Sequence, residues 1–139
     1  MTITIQKEIP KDILENIFVT ALEGGSNDWY WITDETLAKV RKYVSRKDEA
    51  ALSVAIFKAV MDHGVIVQIH DKETMDWPDG EGPDLLGELN HNTIKDRLQS
   101  LANNKDYSYA LDQELNETGD AATSDVVFQF LVMGECVFS

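Results

Sequence analysis

The sequence predicts an α+β fold that is mainly α: a single-domain helical bundle, residues 1–139, with a small two- or three-stranded antiparallel sheet. Apolar residues recur at helical spacing along most of the chain. Two segments, 2–6 and 65–69, instead carry the β-branched pattern of strands. A length of 139 residues suits one domain that buries its own core.

The N-terminal third predicts a strand and two helices. Residues 2–6 alternate with period two, and Pro10 fits the first turn of a helix. We expect Gly24 and Gly25 to end that helix through positive φ and to let other backbone approach closely. Thr33 caps the second helix. The apolar positions of the first helix are Ile13, Leu14, Ile17, Phe18, Ala21 and Leu22.

The second helix carries a basic cluster, which is a solvated face in the simplest interpretation. On an acidic chain it is also the obvious place for an anion to bind. It consists of Lys39, Arg41, Lys42, Arg46 and Lys47, five of the twelve basic residues.

The middle of the chain predicts a buried helix, a strand and a loop. Asp48 can cap a helix whose residues 50–61 are apolar on nearly every side, and His63-Gly64 ends it. We expect the strand at 65–69 to pair with the N-terminal strand. Residues 75–84, rich in Gly, Pro and Asp, form the loop that we expect to be mobile. The acidic spacing in this loop does not match an EF-hand.

The C-terminal third predicts three helices. Asn92-Thr93 caps the first, and residues 107–115 form a short second one. The run 126–133 has caps before it and Gly134 after it, which favours a buried helix, although its β-branched residues leave a strand as an alternative. Gln129, in the middle of this run, needs hydrogen-bond partners if it is buried.

Charge and composition restrict the partners. The net charge of −13 argues against direct nucleic-acid binding, which needs a basic footprint. An acidic surface that docks on a basic protein is compatible with it, although solubility alone is the simpler explanation. Cys136, the single cysteine, excludes an internal disulfide and suits a small buried apolar role. No signal peptide, membrane span, cofactor motif or metal motif is recognisable, so we expect a soluble cytoplasmic protein.

The aromatic loop Trp29-Tyr30-Trp31 invites two interpretations. In an extended segment Trp29 and Trp31 share a face, which with Glu23 and Asn27 offers a surface for stacking and hydrogen-bonding a base or ring. The alternative, which we favour, is that the tryptophans plug the core. A homo-oligomer contact is a third use of such a loop.

Both ends of the chain carry motifs. Glu23-Gly24-Gly25-Ser26-Asn27, followed by Trp29, and Asp120-Ala121-Ala122-Thr123-Ser124-Asp125, followed by Gln129 and Gly134-Glu135, resemble the signatures of a family of small uncharacterised proteins of tailed bacteriophages. Asp28 stands where the family pattern has an aromatic residue, and Ser139 where it has glycine. The resemblance implies a phage-encoded protein made in the bacterial host cytoplasm. It brings no activity and no catalytic residues.

Three functions compete. We rank first a non-enzymatic accessory protein that binds and inhibits a bacterial host protein, such as a defence protein, through its acidic surface. The second is a small-molecule or nucleotide-like ligand binder that uses the aromatic loop; the charge opposes a highly anionic ligand unless Arg41 or Arg46 reaches the site. The third is a hydrolase using His70 and Asp71, for which a surface histidine beside a turn aspartate is the simpler explanation.

One expectation connects these hypotheses: residues 23–31 and 123–135 come together in a single functional or assembling surface. It selects residues from both signatures, together with the pair at the end of the central strand. The candidate site residues are Glu23, Asn27, Trp29, Trp31, His70, Asp71, Asp125 and Gln129.

Overall fold

Helices packed around a three-stranded antiparallel sheet make up the computed structural model, which describes residues 1–2, 7–47, 51–76 and 82–138. The predicted α+β, mainly α fold class is confirmed. The helices are α1 (Lys11–Thr20), α2 (Asp34–Tyr43), α3 (Leu52–His63), α4 (His91–Ala102), α5 (Ser108–Leu115) and α6 (Ala121–Met133). The strands are β1 (Tyr30–Trp31), β2 (Val67–Asp71) and β3 (Leu85–Leu89).

Helix α6 is the centre of the fold. Every residue from Val126 to Val132 is buried, and α6 packs against α1, α4, α5 and β3. Asp120 and Thr123 form a capping box at its start, and Gly134, with φ of 78°, ends it. A helix that is apolar on all sides is stable only when other elements surround it. The prediction of a buried helix is therefore confirmed, and the strand alternative for this run is wrong.

The sheet has the order β1-β2-β3, with both pairings antiparallel. The predicted central strand forms two residues later than expected, at Val67–Asp71. Its neighbours are β1 and β3; the predicted N-terminal strand has residues 3–6 outside the described part of the chain. The sequence did not indicate β3, because Gly87 interrupts its pattern. A Cβ at Gly87 would lie 2.2 Å from the Val132 carbonyl oxygen, so the close packing of β3 on α6 requires glycine there.

The ends of the helices agree in part with the predicted caps. Thr33 accepts a hydrogen bond from the Thr36 amide at 3.3 Å, and Gly64 ends α3 with φ of 68°, both as predicted. The predicted cap Asp48 lies outside the described residues, and α3 begins after Ala51. The cap predicted at Asn92-Thr93 is wrong. Asn90 caps α4 instead, because its side chain accepts the Asn92 amide at 2.9 Å.

The loop and the basic cluster sit at the periphery of the fold. Residues 77–81, in the loop expected to be mobile, lie outside the described part of the chain. The basic cluster is mostly exposed, as expected of a solvated face, with Arg41 half-buried. Across the described ranges, no helix has both the length and the apolar character needed to cross a bilayer.

Gly24 and Gly25 do not end the first helix through positive φ, contrary to prediction. The chain continues as one π-helical turn, Ala21–Gly25, in which the Ser26 amide donates to the Ala21 carbonyl at 2.9 Å. The predicted close approach of backbone is confirmed at Gly25, where a Cβ would lie 2.7 Å from the Ala121 carbonyl oxygen. The π turn therefore brings the first signature segment directly onto the start of α6.

Adjacent glycines provide a matched test of this contact. Gly25→Ala should lower the free energy of unfolding by about 1–3 kcal/mol, because the new methyl group clashes with backbone that cannot rotate away. Gly24→Ala has no atom within 4 Å of its new Cβ. It should leave stability unchanged or raise it by up to about 1 kcal/mol. Urea unfolding followed by circular dichroism measures both. Equal effects of the two substitutions would contradict the assigned contact.

Candidate functional site

The two signature segments meet at the carboxylate of Asp125. Its Oδ1 accepts hydrogen bonds from Ser26 Oγ at 2.6 Å and from the indole Nε1 of Trp29 at 2.8 Å. Its Oδ2 accepts from Gln129 Nε2 at 2.9 Å. Residues 23–31 and 123–135 are thus in contact, as the sequence predicted. The contact lies inside the protein, because Ser26, Trp29 and Gln129 are all buried, so it is not the functional or assembling surface that the sequence predicted.

Gln129 is fully buried and fixes the C-terminal segment. Its Nε2 also donates to the Phe138 carbonyl, and its Oε1 accepts from the amides of Val137 and Phe138, each at 2.8 Å. The prediction that a buried Gln129 needs partners is confirmed. Phe138, held in this way, stacks on Trp29 with ring centroids 5.3 Å apart and planes 15° apart.

Trp29 and Trp31 have different environments, so the expected shared face for stacking is wrong. Trp29 is 4% exposed and packs on Phe128 and Phe138, as the core-plug interpretation predicted. Trp31 is 39% exposed, so the core-plug interpretation is wrong for this residue. The cause is the Asp125 carboxylate, which binds the indole N–H of Trp29 and draws that ring inward ahead of β1.

A cleft of about 330 Å³ lies beside Trp31 and brings together three of the candidate residues. We call its buried lining residues the floor and its exposed lining residues the rim. The floor consists of Leu22, Ile32, Ser53 and Ile56. The rim consists of Glu23, Asn27, Trp31, Asp34 and Leu52. The lining is completed by three half-buried residues, Tyr30, Leu37 and Lys72. The cleft therefore has an apolar interior with polar groups around its mouth, which is the usual composition of a small-molecule site.

Two side chains brace the wall of the cleft. The Tyr30 hydroxyl donates to the Leu22 carbonyl, and burial, reinforced by the charge of Glu23, raises the pKa of Tyr30. The phenol therefore stays protonated and keeps this bond at neutral pH. Lys72 Nζ donates to the Asn27 carbonyl at 2.9 Å, and the Lys72 amide donates to the Trp29 carbonyl at 2.9 Å. The aromatic loop is thus fastened to the end of β2.

Ser53 is a member of the floor that the sequence reasoning missed. Its side chain is 5% exposed, and its Oγ has no hydrogen-bond partner among the described residues. It is the second residue of α3, whose N-cap, Ala51, offers no side-chain acceptor. The signal in the sequence was a hydroxyl residue among the apolar residues at the start of a helix. A buried hydroxyl without a partner is uncommon and requires an explanation.

His70 and Asp71 do not form a catalytic pair. Consecutive residues of a strand point to opposite faces. Asp71 Oδ1 accepts the Glu73 amide at 2.9 Å, which makes it the cap of the short turn Lys72–Thr74, as the simpler interpretation predicted. Burial lowers the pKa of His70, and its Nδ1 has no partner among the described residues.

Trp31, His70 and Leu85 form a row across one face of the sheet, in which Trp31 and Leu85 are exposed and His70 is half-buried. Trp31 lies opposite His70, and His70 lies opposite Leu85, so the three side chains are neighbours on one face. Leu85 is 57% exposed. We call these three residues the sheet row. It borders the cleft through Trp31, which belongs to both.

Cys136 is half-buried and donates to the Phe138 carbonyl at 3.6 Å, and burial raises the pKa of its thiol, so it stays protonated. Within residues 1–2, 7–47, 51–76 and 82–138, no group of three or more His, Cys, Asp or Glu side chains is placed to hold a metal ion.

Comparison with known proteins adds no template for this site. No protein-family model, no curated protein and no solved structure matches the chain.

Gln129→Met tests the attachment of the C-terminal segment. Methionine has a similar volume but cannot replace the four hydrogen bonds, so we expect a loss of about 1–3 kcal/mol in stability. The amides of Val137 and Phe138 should also exchange with solvent much faster. Hydrogen exchange followed by NMR measures this directly. Gln113→Met, on the exposed side of α5, is the control and should leave both amides protected. Unchanged exchange in Gln129→Met would contradict the assignment.

Proposed function

We propose that the protein binds a small, flat, polar ring compound in the cleft. The observation that carries this proposal is the convergence of Glu23, Asn27 and Trp31 at the rim of an apolar cavity whose floor holds the unpaired hydroxyl of Ser53. A concave, mostly apolar site with a few converging polar groups is the arrangement typical of ligand pockets. It supports the ligand-binding hypothesis more directly than the acidic surface supports host-protein binding.

The size and lining of the cleft limit the ligand. Ligand pockets are commonly about 300–1,000 Å³, and this cleft, at about 330 Å³, lies at the small end. The indole of Trp31 offers a partly exposed aromatic face, and base–aromatic stacking contributes about 1–3 kcal/mol per base. Arg41 and Arg46, which an anionic ligand was expected to need, are not among the lining residues. We infer one ring system without a large negative charge.

The interior candidates have a positioning role in this proposal. Asp125 holds Ser26 and Trp29, the residues on either side of the segment that carries Asn27. Gln129 holds Asp125 in turn. The buried hydrogen bonds therefore keep the rim rigid before the ligand arrives, which reduces the entropy cost of binding. The hydrolase alternative receives no support from the geometry of His70 and Asp71.

The source of the protein is part of the same proposal. The resemblance of both end motifs to a family of tailed-phage proteins supports a phage-encoded accessory protein that acts in the host cytoplasm. In that setting a ligand binder would lower the free concentration of a small host molecule. A protein that holds its ligand without turnover needs only a pocket, and the cleft provides one.

Trp31→Ala tests ligand binding. We would screen nucleobases, nucleosides, nucleotides and aromatic amino acids by thermal shift and then measure affinity by calorimetry. Loss of the stacking face should weaken the best ligand at least about tenfold, the equivalent of about 1.4 kcal/mol. Tyr109→Ala, which removes another exposed aromatic outside the cleft, is the control and should bind normally. The proposal would be contradicted if no compound of the panel binds, or if Tyr109→Ala loses as much affinity as Trp31→Ala.

Binding to a host protein is the second candidate, and the sheet row favours it. The row exposes apolar surface on a chain of net charge −13, a combination that suits a basic partner with an apolar contact point. The cleft does not include Leu85, so this residue separates the two candidates.

Leu85→Ala should abolish host-protein capture while leaving ligand affinity unchanged. Immobilised wild-type protein should retain a specific bacterial protein at low salt and release it at high salt, because screening weakens exposed charge pairs. Tyr109→Ala should behave like wild type. Empty pull-downs at low salt, or equal capture by Leu85→Ala, would count against this candidate.

A further inference from the structure

We propose that the ligand of the cleft is an uncharged nitrogen heterocycle that carries both an amino group and a ring carbonyl. Its carbonyl end binds at the floor beside Ser53, and its amino end faces the carboxylates of the rim. This inference rests on the proposed function and adds the chemical class and the orientation of the ligand.

The floor holds a hydroxyl group that can donate a hydrogen bond to the ligand. Ser53 is 95% buried, and its hydroxyl has no partner among the described residues. Burial of an unpaired hydroxyl opposes folding, so the residue is best explained by a partner that the ligand provides. The neighbouring floor residues Leu22, Ile32 and Ile56 are apolar, so Ser53 carries the one polar side chain among the floor residues that the structure describes. The hydroxyl can donate or accept, and a carbonyl oxygen or an unprotonated ring nitrogen would accept the hydrogen bond that it donates.

The start of α3 reinforces this preference. The first N–H groups of a helix have no intrahelical partner and carry a partial positive charge. Leu52 and Ser53 are the first two residues of α3, and both line the cleft. Ala51, at the N-cap, has no side-chain oxygen to neutralise this end. A positively charged group would therefore be disfavoured at the floor, whereas a carbonyl oxygen is favoured.

The rim has the opposite polarity. Glu23 and Asp34 are exposed carboxylates at the mouth of the cleft, and a carboxylate only accepts hydrogen bonds. Two carboxylates favour an amino group, which offers two N–H donors, over a single ring N–H. Lys72 lies nearby, but its ammonium group already donates to the Asn27 carbonyl at 2.9 Å. A phosphate at the rim would therefore meet the two negative charges of Glu23 and Asp34 against the one positive charge of Lys72.

The two ends together define the ligand. An organic cation suits the rim but not the floor, and an anion suits the floor but not the rim. A neutral ring with a donor at one edge and an acceptor at another satisfies both, and its flat face can stack on Trp31. Cytosine-type and guanine-type rings have this pattern. Uracil-type and thymine-type rings lack the amino group.

A calorimetric comparison of matched nucleosides tests the class. Cytidine differs from uridine mainly in the exocyclic amine, and cytidine 5′-monophosphate adds only the phosphate; guanosine and its monophosphate form a second series. We expect cytidine or guanosine to bind at least about tenfold more tightly than uridine. Each monophosphate should bind more weakly than its nucleoside at low salt, and the difference should shrink as salt is added.

Ser53→Ala gives an independent readout of the orientation. Removal of an unpaired buried hydroxyl should keep or raise the melting temperature of the free protein, while affinity for the best nucleoside falls about tenfold. Glu23→Gln should reduce the preference for cytidine over uridine and weaken the discrimination against the monophosphate. Ser100→Ala, on the exposed face of α4, is the control and should change neither melting temperature nor affinity.

The outcomes separate this inference from the proposed function. If uridine or the monophosphates bind as well as cytidine or better, and Trp31→Ala still weakens them, the cleft binds rings but the inferred class is wrong. If Ser53→Ala lowers the melting temperature or leaves affinity unchanged, the assigned role of the hydroxyl is wrong. If no compound of either panel binds the wild-type protein, the proposed function itself fails.

Discussion

The half-buried carboxylate of Asp125 is the interaction on which the arrangement of the chain depends. Three donors surround it: Ser26 directly after the π turn, Trp29 in the aromatic loop and Gln129 in α6. A charge removed from water is stable only when such hydrogen bonds replace its hydration. Removal of one donor would therefore affect the other elements as well. The π turn, the aromatic loop and the C-terminal segment form one cooperative unit on the surface of α6.

The cleft inherits its shape from this unit. Because Asp125 holds the Trp29 indole inside, the Trp29 carbonyl is in place to accept the Lys72 amide, and Trp31 pairs with His70 at the edge of the sheet. Trp31 then stands at the rim without contributing to the core. Trp29 thus stabilises the core, whereas Trp31 lies at the surface beside the cleft. A site built on fixed backbone loses little conformational entropy when a ligand binds.

Local patterns in the sequence predicted most of the helices, and non-local contacts account for the failures. The helical spacing of the apolar residues and the caps beside them were enough to predict α6, because Asp120 and Gly134 mark its ends. The sequence gives no indication that Gly87 lies under the Val132 carbonyl, so β3 could not be recognised. Likewise, Gly25 predicts the end of a helix from the sequence alone, and the structure shows that the Ala121 carbonyl packs against it. In both cases the glycine is explained by backbone that is distant in sequence.

The residues of the candidate site also divide into those that local sequence indicates and those that only non-local contacts reveal. Glu23, Asn27 and Trp31 belong to one short segment, so composition alone could indicate them, whereas Ser53 becomes meaningful only after α3 is placed against that segment. Both the charges beside the cleft and the net charge of the chain affect ligand binding. Screening limits the influence of exposed charges to roughly 8 Å at physiological salt, so Glu23 and Asp34 govern a ligand inside the cleft more than the net charge of −13 does. The net charge still disfavours the approach of anions to the surface. The rim carboxylates and the net charge therefore both disfavour phosphorylated compounds. A neutral ring meets no such repulsion and can stack on Trp31 and bind the hydroxyl of Ser53.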